Sequence, residues 1–183
     1  MTVVHHYEKV DQSRIKAKFS HDRKHRYSLY LPFKDRVDGH TVCVIGQNPS
    51  YADEKIADKT LHYIEHLVYD KCPEVGSIVV LNLFSRVDTK KKENTCLLCL
   101  KGARESRKWI KECNDFILIH GKLKDQGGYR FRKRAQQIQR LLAAKHVLQL
   151  DIGTTYPPHP GNPAIYYGNY SVEFAEYEID DGA

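Results

Sequence analysis

The sequence is short of several things, and each shortage excludes something. No apolar run in the 183 residues approaches the ~20 that a membrane-spanning helix needs, so no membrane partner is expected. The N-terminal stretch MTVVHHYEKVDQSR lacks the apolar core of a secretory leader, and a cytoplasmic location is expected. Repeats, low-complexity tracts and Ser/Gly linkers are absent as well. A chain of this length holds one full hydrophobic core and is short for two, so residues 1–183 read as one domain, acting as a monomer. Metal-site patterns are scarce. The five cysteines are an odd number, which in a cytosolic chain reads as reduced thiols. Cys96 and Cys99 form a CxxC, but no second CxxC and no His pair at zinc spacing accompany it. TCLLCL is apolar around both thiols, so packing rather than metal binding is expected.

Positive charge is what the chain has in excess: 29 Lys and Arg against 23 Asp and Glu, a net +6. That balance favours an anionic partner, nucleic acid first. The basic residues are grouped as SRIKAK, HDRKHR, KKK at 90–92 and YRFRKR at 129–134. Any one group reads as a solvated face. Four groups with Tyr and Phe interleaved point to a phosphate-binding surface, with Lys90, Lys91, Lys92, Arg130, Arg132 and Arg134 as its candidate members.

Residues 41–152 alternate between two kinds of segment. TVCVIG, SIVVLNLF, NDFILIHG and HVLQLDIG are short apolar runs that read as buried strands. Between them lie a segment from about 53 to 70 with apolar residues near helical spacing, GARESRKWIKE, and the basic amphipathic YRFRKRAQQIQRLLAAK. Strands alternating with helices imply right-handed βαβ units. The expected fold is α/β, a three-layer α/β/α sandwich around a mainly parallel four-stranded central sheet. RYSLYLPF at 26–33, ended by Pro32, and the imperfectly alternating tail at 169–179 are expected as extra edge strands. TTYPPHPGNP at 154–163 has four prolines and reads as an ordered loop.

Polar groups gather where these strands stop. Gly46-Gln47-Asn48 follows the first, Asn82 lies in the second, His120-Gly121 follows the third, and the fourth leads to the loop that holds His159. In a parallel sheet the carboxyl ends are side by side, where open α/β folds bind their ligands. Asn48, Asn82, His120 and His159 are therefore expected to line one crevice. A buried Asn in VVLNLF must have its amide satisfied, either by a neighbouring loop or by a ligand. A carboxamide offers a donor and an acceptor side by side, which suits a nucleobase edge.

The order GQNPS, VVLNLF, FILIHG and HVLQ…PPHPGNP resembles the uracil-DNA glycosylase superfamily, whose motifs run GQDPY or G-x-NPG, LLLN, LLWG and HPS. The resemblance covers roughly residues 41–165. The chain is also similar, and more closely, to the family called domain of unknown function 1643. The matching features are RY-x-L at Arg26-Tyr27, NPS-x-AD at Asn48 to Asp53, D-x-T at Asp58 to Thr60, VNLF at Val80 to Phe84, and a late His159-Pro160. The second family implies no reaction.

The first resemblance implies roles residue by residue. Asn48 falls where the attacking water is positioned, as an amide that orients water without acting as a base. Asn82 matches the reader of the pyrimidine edge, and His159 matches the residue that stabilises charge on the departing base. Ser50 replaces the Tyr that excludes a C5 substituent, which would admit a C5-modified pyrimidine. Gly161 replaces the Ser of HPS, Pro163 falls near the wedge residue, and His120 replaces Trp. Gly46, Gln47, Pro49, Ser50, Tyr51, Asn82, Phe84 and His120 are the expected substrate-binding set, with Tyr51, Tyr63 and Phe84 as the aromatic candidates for stacking. Asp58 could supply the base that Asn48 cannot, while Glu54 reads as a helix N-terminal acid.

The expectation is thus a nucleic-acid-acting, glycosylase-like hydrolase that cleaves the N-glycosidic bond of a pyrimidine. Its catalytic set is Asn48, Asp58 and His159, with no metal and no cofactor. DNA is expected ahead of RNA. Two alternatives stand beside it: a non-catalytic binder of a modified base, nucleotide or nucleic-acid end, and a hydrolase of free nucleotides or nucleosides.

Overall fold

The structure, a computed structural model, describes residues 3–88, 90, 99–168 and 170–179. Lys91, Lys92 and Cys96 lie outside the described residues. Among the described residues the strands are β1 (Lys16–Phe19), β2 (Arg26–Pro32), β3 (His40–Gly46), β4 (Val75–Asn82), β5 (Asp115–Leu118), β6 (His146–Leu150) and β7 (Phe174–Glu176). The α-helices are α1 (Lys59–Lys71), α2 (Cys99–Glu112), α3 (Phe131–Leu142) and the short α4 (Pro163–Tyr166).

All seven strands form one sheet in the order β1-β2-β4-β3-β5-β6-β7. The pairs β4–β3, β3–β5 and β5–β6 are parallel. The pairs β1–β2, β2–β4 and β6–β7 are antiparallel. The sheet is therefore mixed and seven-stranded, a correction to the four-stranded, mainly parallel sheet expected; β7 lies at an edge as expected, but β2 lies inside, between β1 and β4. The reason is local. Parallel neighbours need a crossover, which α1 supplies between β3 and β4, whereas antiparallel neighbours need only a turn, such as the one between β1 and β2. β1 itself lies concealed in the SRIKAK group. Lys16 and Lys18 are exposed there, while Ile15, Ala17 and Phe19 are buried or half-buried, which is strand alternation.

Period-two alternation builds two separate cores. Val42 and Val44 of β3 join Leu29, Leu31, Ile78, Val80 and Ile117 on one face, covered by Leu61, Ile64, Leu67 and Val68 of α1. Cys43 and Ile45 turn to the other face with Val79, Leu81, Phe116 and Leu118. There Ile110 of α2 and Phe131, Ala135, Ile138 and Leu142 of α3 cover them. Helices thus pack on both faces of a mixed α/β sheet. No helix among the described residues is long and apolar enough to cross a membrane.

α1 starts at Lys59 rather than near 53. Asp53 accepts from the amides of Lys55 (3.0 Å) and Ile56 (3.3 Å) in a tight turn. Glu54 accepts from the Ala17 amide of β1 (3.0 Å), so it is not a helix N-terminal acid. The cap is Asp58, whose Oδ1 accepts from the Leu61 amide at 2.8 Å.

Candidate functional site

The sheet aligns three strand ends. Gly46 pairs in register with Asn82, and pairing continues past both strands. The Leu83 amide donates to the Gly46 carbonyl (2.9 Å), and the Phe84 amide to that of Gln47 (3.1 Å). On the other side the Ile119 amide donates to the Ile45 carbonyl (2.9 Å). Glycine at 46 gives the Asn82 amide its place, because a Cβ there would sit 2.8 Å from Asn82 Nδ2 and push it aside. At the end of β5, Gly121 takes φ +69°, a conformation that favours glycine. Its amide donates to the Pro157 carbonyl (2.9 Å), which ties down the proline-rich loop that holds His159.

Between these ends lies a cavity of about 480 Å³. Gly46, Gln47, Asn48, Ser50, Asp58, Asn82, His120 and His159 line it, so eight residues assigned from the sequence converge. Arg26 and Thr60, legible in the sequence only as motif members, and Asp88 and Lys122, which no sequence motif singled out, add polar groups, while Leu61, Val80 and Ile119 add apolar wall. Pro49, Tyr51 and Phe84 are not brought to it. Tyr51 is 67% exposed, and Phe84 packs edge-on against Tyr129 and Phe131, in the core beneath α3. No Phe, Tyr or Trp among the described residues lines this cavity.

The walls carry an unusual share of unsatisfied polar atoms. Arg26 Nε, Gln47 Oε1, Asn48 Oδ1 and His120 Nε2 are buried without a hydrogen-bond partner among the described residues. Buried polar atoms are nearly always paired, so their concentration at one cavity marks a place built for something else. Arg26 is the sharpest case. It is 3% exposed. Its Nη1 donates to the Ala52 carbonyl (3.1 Å) and its Nη2 to Asn82 Oδ1 (3.4 Å). No carboxylate among the described residues forms an ion pair with it. Burial pulls the guanidinium down to about 10, opposed by the charges of Asp58 and Asp53, so it stays a cation at neutral pH. An unpaired buried charge is costly unless it meets an anion or strong dipoles.

The hydrogen bonds also fix which side-chain atoms are left as donors and acceptors. Asn48 Nδ2 donates to the Arg86 carbonyl (3.2 Å), which leaves Oδ1 as the acceptor. His120 Nδ1 donates to the Gly121 carbonyl (2.9 Å), and burial lowers its pKa, so the ring is neutral with Nε2 as an acceptor. His159 has the opposite tautomer. Its Nδ1 accepts from the Gly161 amide (2.9 Å), which puts the proton of the neutral ring on Nε2 as a donor. Arg26 stands in the RY-x-L segment, where a charge opening an otherwise apolar strand is the signal that marks it.

The basic residues divide. Lys90, Arg130 and Arg132 are exposed. Arg132 is nevertheless anchored: its amide donates to Asp125 (3.1 Å) and its Nε to the Leu123 carbonyl (3.4 Å). Arg134 is half-buried and donates from Nε to the Leu83 carbonyl (3.0 Å), which fastens α3 to the end of β4. The model of the family described as "Protein of unknown function (DUF1643)" matches residues 26–161. No curated protein and no solved structure matches the chain.

Proposed function

Given that the chain belongs to the family of proteins of unknown function DUF1643, which carries no reaction over to it, we propose a function from the chemistry of the pocket. It is a nucleic-acid-acting hydrolase, similar to the uracil-DNA glycosylases, that cleaves the N-glycosidic bond of a pyrimidine extruded into the strand-end cavity. The observation that carries this reading is the convergence of unpartnered donors and acceptors on one cavity of about 480 Å³, roomy enough for a base together with its sugar.

Asn82 offers its amide to the base edge, with its Oδ1 held by Arg26. Asn48 Oδ1, fixed by the bond from Nδ2, holds a water for attack on the sugar carbon. The water oxygen bonds to C1′ as the C1′–N bond breaks, and the bonding electron pair stays on the base. The water proton passes to Asp58, whose Oδ1 caps α1 and whose second oxygen is the acceptor. Negative charge growing on the base meets the Arg26 guanidinium and the Nε2–H of His159. Such preorganised charge acts most strongly in a water-poor site. Half-buried Ser50, in place of a bulky ring, leaves room for a C5 substituent.

A second reading has its own observation. No aromatic ring among the described residues lines the cavity for stacking, and Asp58 already serves as a helix cap. A pocket that binds a base or nucleotide without turnover is consistent with both facts. Release of free base from oligonucleotides carrying uracil, thymine or C5-modified pyrimidines, compared with binding to the same set, separates the two. Under the hydrolase reading Asn82→Ala relaxes discrimination among bases, since an edge interaction is worth ~1–3 kcal/mol against a wrong base. His159→Ala then slows turnover while binding persists, because its contribution grows with transition-state charge. Tight binding with no release from any substrate ends the hydrolase assignment.

A further inference from the structure

A second cavity, of about 540 Å³, adjoins the first. Thr60 of α1 lines both, and the loop between them is shared: His159 faces the first, Pro160 and Gly161 the second. Unlike its neighbour, this cavity is aromatic, with Tyr63, Tyr166 and Tyr170 in its walls. Tyr63 is 9% exposed, and its hydroxyl is buried without a hydrogen-bond partner among the described residues. Its ring stacks on Tyr170 (centroids 4.8 Å, 15° between planes), so the side chain is held with that hydroxyl unmatched. Tyr166 is 52% exposed, and Lys59 Nζ stands 5.8 Å from its ring centroid. The ammonium lies over the Tyr166 ring, and Tyr167 meets the same ring at 5.3 Å and 86°. A half-exposed ring paired with a movable cation is a combination by which proteins hold single-stranded nucleic acid: the cation swings to phosphate and the ring stacks a base.

The chain builds this cavity with its N-terminal segment. The Ala57 amide donates to the Val4 carbonyl (2.9 Å), and His62 Nδ1 donates to that of His5 (2.9 Å), so Val4 becomes a wall. We infer that the second cavity receives the nucleobase adjacent to the one in the first pocket, stacked on Tyr166 with its polar edge toward the Tyr63 hydroxyl. The strand would cross the Pro160–Gly161 bridge between them, beside the His159 ring that the Gly161 amide holds. This rests on the reading of the first pocket as a base site, and it names the substrate as a polynucleotide rather than a free nucleoside, which has no second base to place.

The test uses fluorescein-labelled oligonucleotides with uracil, thymine or a C5-modified pyrimidine at one position. The nucleotide on its 5′ or 3′ side is either natural or a tetrahydrofuran abasic analogue. Binding is measured by anisotropy for the parent protein, Tyr166→Ala, Tyr63→Phe and Asn82→Ala. Tyr166 is exposed and Tyr63→Phe keeps the ring, so both variants retain the fold. Removing the flanking base on one side should weaken parent binding by roughly 5- to 150-fold, the range for a stacked base. Tyr166→Ala should lose affinity similarly with the natural flank and lose nothing with the abasic one, and Tyr63→Phe should show the same selectivity in smaller measure. If Tyr166→Ala weakens both flanks equally, or neither, the inference is overturned while an effect of Asn82→Ala on base choice leaves the first pocket standing. If Asn82→Ala leaves base choice unaltered, or no oligonucleotide binds, the base-site reading falls and takes this one with it.

Discussion

Asp58 holds two positions at once, helix cap and cavity wall, and the two can be separated by substitution. Asn caps a helix about as well as Asp, whereas Ala gives up the cap at about 0.5–2 kcal/mol. Asp58→Asn should therefore leave the melting temperature nearly unchanged. If the carboxylate takes the proton, the same variant should lower base release by about 100-fold or more, the usual span for a general base. Asp58→Ala should lower both. Equal activity in Asp58→Asn and the parent would remove Asp58 from the chemistry and leave it a cap. At this scale the sequence is most informative where polar residues end apolar strands: Asn48, Asn82 and His120 all reach the cavity wall. Phe84 is opaque, because a ring just past a strand can turn toward a crevice or a core, and packing with Tyr129 and Phe131 decides it. Arg26 is only half legible: its place at the head of an apolar strand is visible, but its part in the cavity is not. Its significance lies in missing partners, which depend on the tertiary arrangement.

Among the elements, α3 and the residue before it carry basic side chains of two kinds. Arg130 and Arg132 are exposed, while Arg134 fastens the helix to Leu83 at the strand end. Neutralising Arg130 and Arg132 should weaken nucleic-acid binding and flatten its dependence on log salt by about 0.7–0.9 for each phosphate no longer neutralised. The melting temperature should hardly move. Arg134→Ala should instead destabilise the fold by about 1 kcal/mol, as removal of a part-buried hydrogen bond to a carbonyl does. Denaturant melts and salt-titrated binding isotherms read the two effects apart, and an unchanged salt slope would make the exposed pair a solvated face. Long periodic elements are legible because apolar spacing survives translation into packing: α2, α3 and the inner strands lie close to where their patterns put them. Boundaries and edges are not. The start of α1 waits for its cap because Asp53 and Glu54 are taken by a turn and by β1, and β1 is disguised by the lysines that alternate along it.

The whole molecule should show a stability that responds to pH in two opposed ways near 6.5. His6 Nδ1 lies 2.6 Å from Glu65 Oε1, and its Nε2 donates to the Asp53 carbonyl (2.8 Å). Burial alone would lower its pKa, but the bond and charge of Glu65 outweigh burial and raise it above 6.5. Its stabilising contribution is therefore complete below about pH 6.5 and lost as pH rises through the folded value. His25 and His120 are lowered by burial, so their contribution is complete above about pH 6.5 and lost as pH falls. Relative to the parent, His6→Gln should lose most stability near pH 5.5 and least near pH 8, on the scale set by these shifts. His120→Asn should flatten the acid side of the curve. Melting temperatures across that range check both signs.

The order of strands in the sheet also governs how the molecule comes into being. Of the neighbouring pairs only β1 and β2 are joined by a short turn; Val42 must find Ile78 on one side and Asp115 on the other. Such distant pairings place folding in roughly the millisecond-to-second range, because long loops close before any pairing rewards them. The cavity draws on Arg26, Asn48, Asn82, His120 and His159, so it cannot exist in any fragment of the sheet. The single Trp109, stacked near Tyr30 of β2 at 6.4 Å, gives a natural clock for the docking of α2. In stopped-flow refolding, the ability to capture an oligonucleotide should return with that fluorescence change or after it, and never ahead of it.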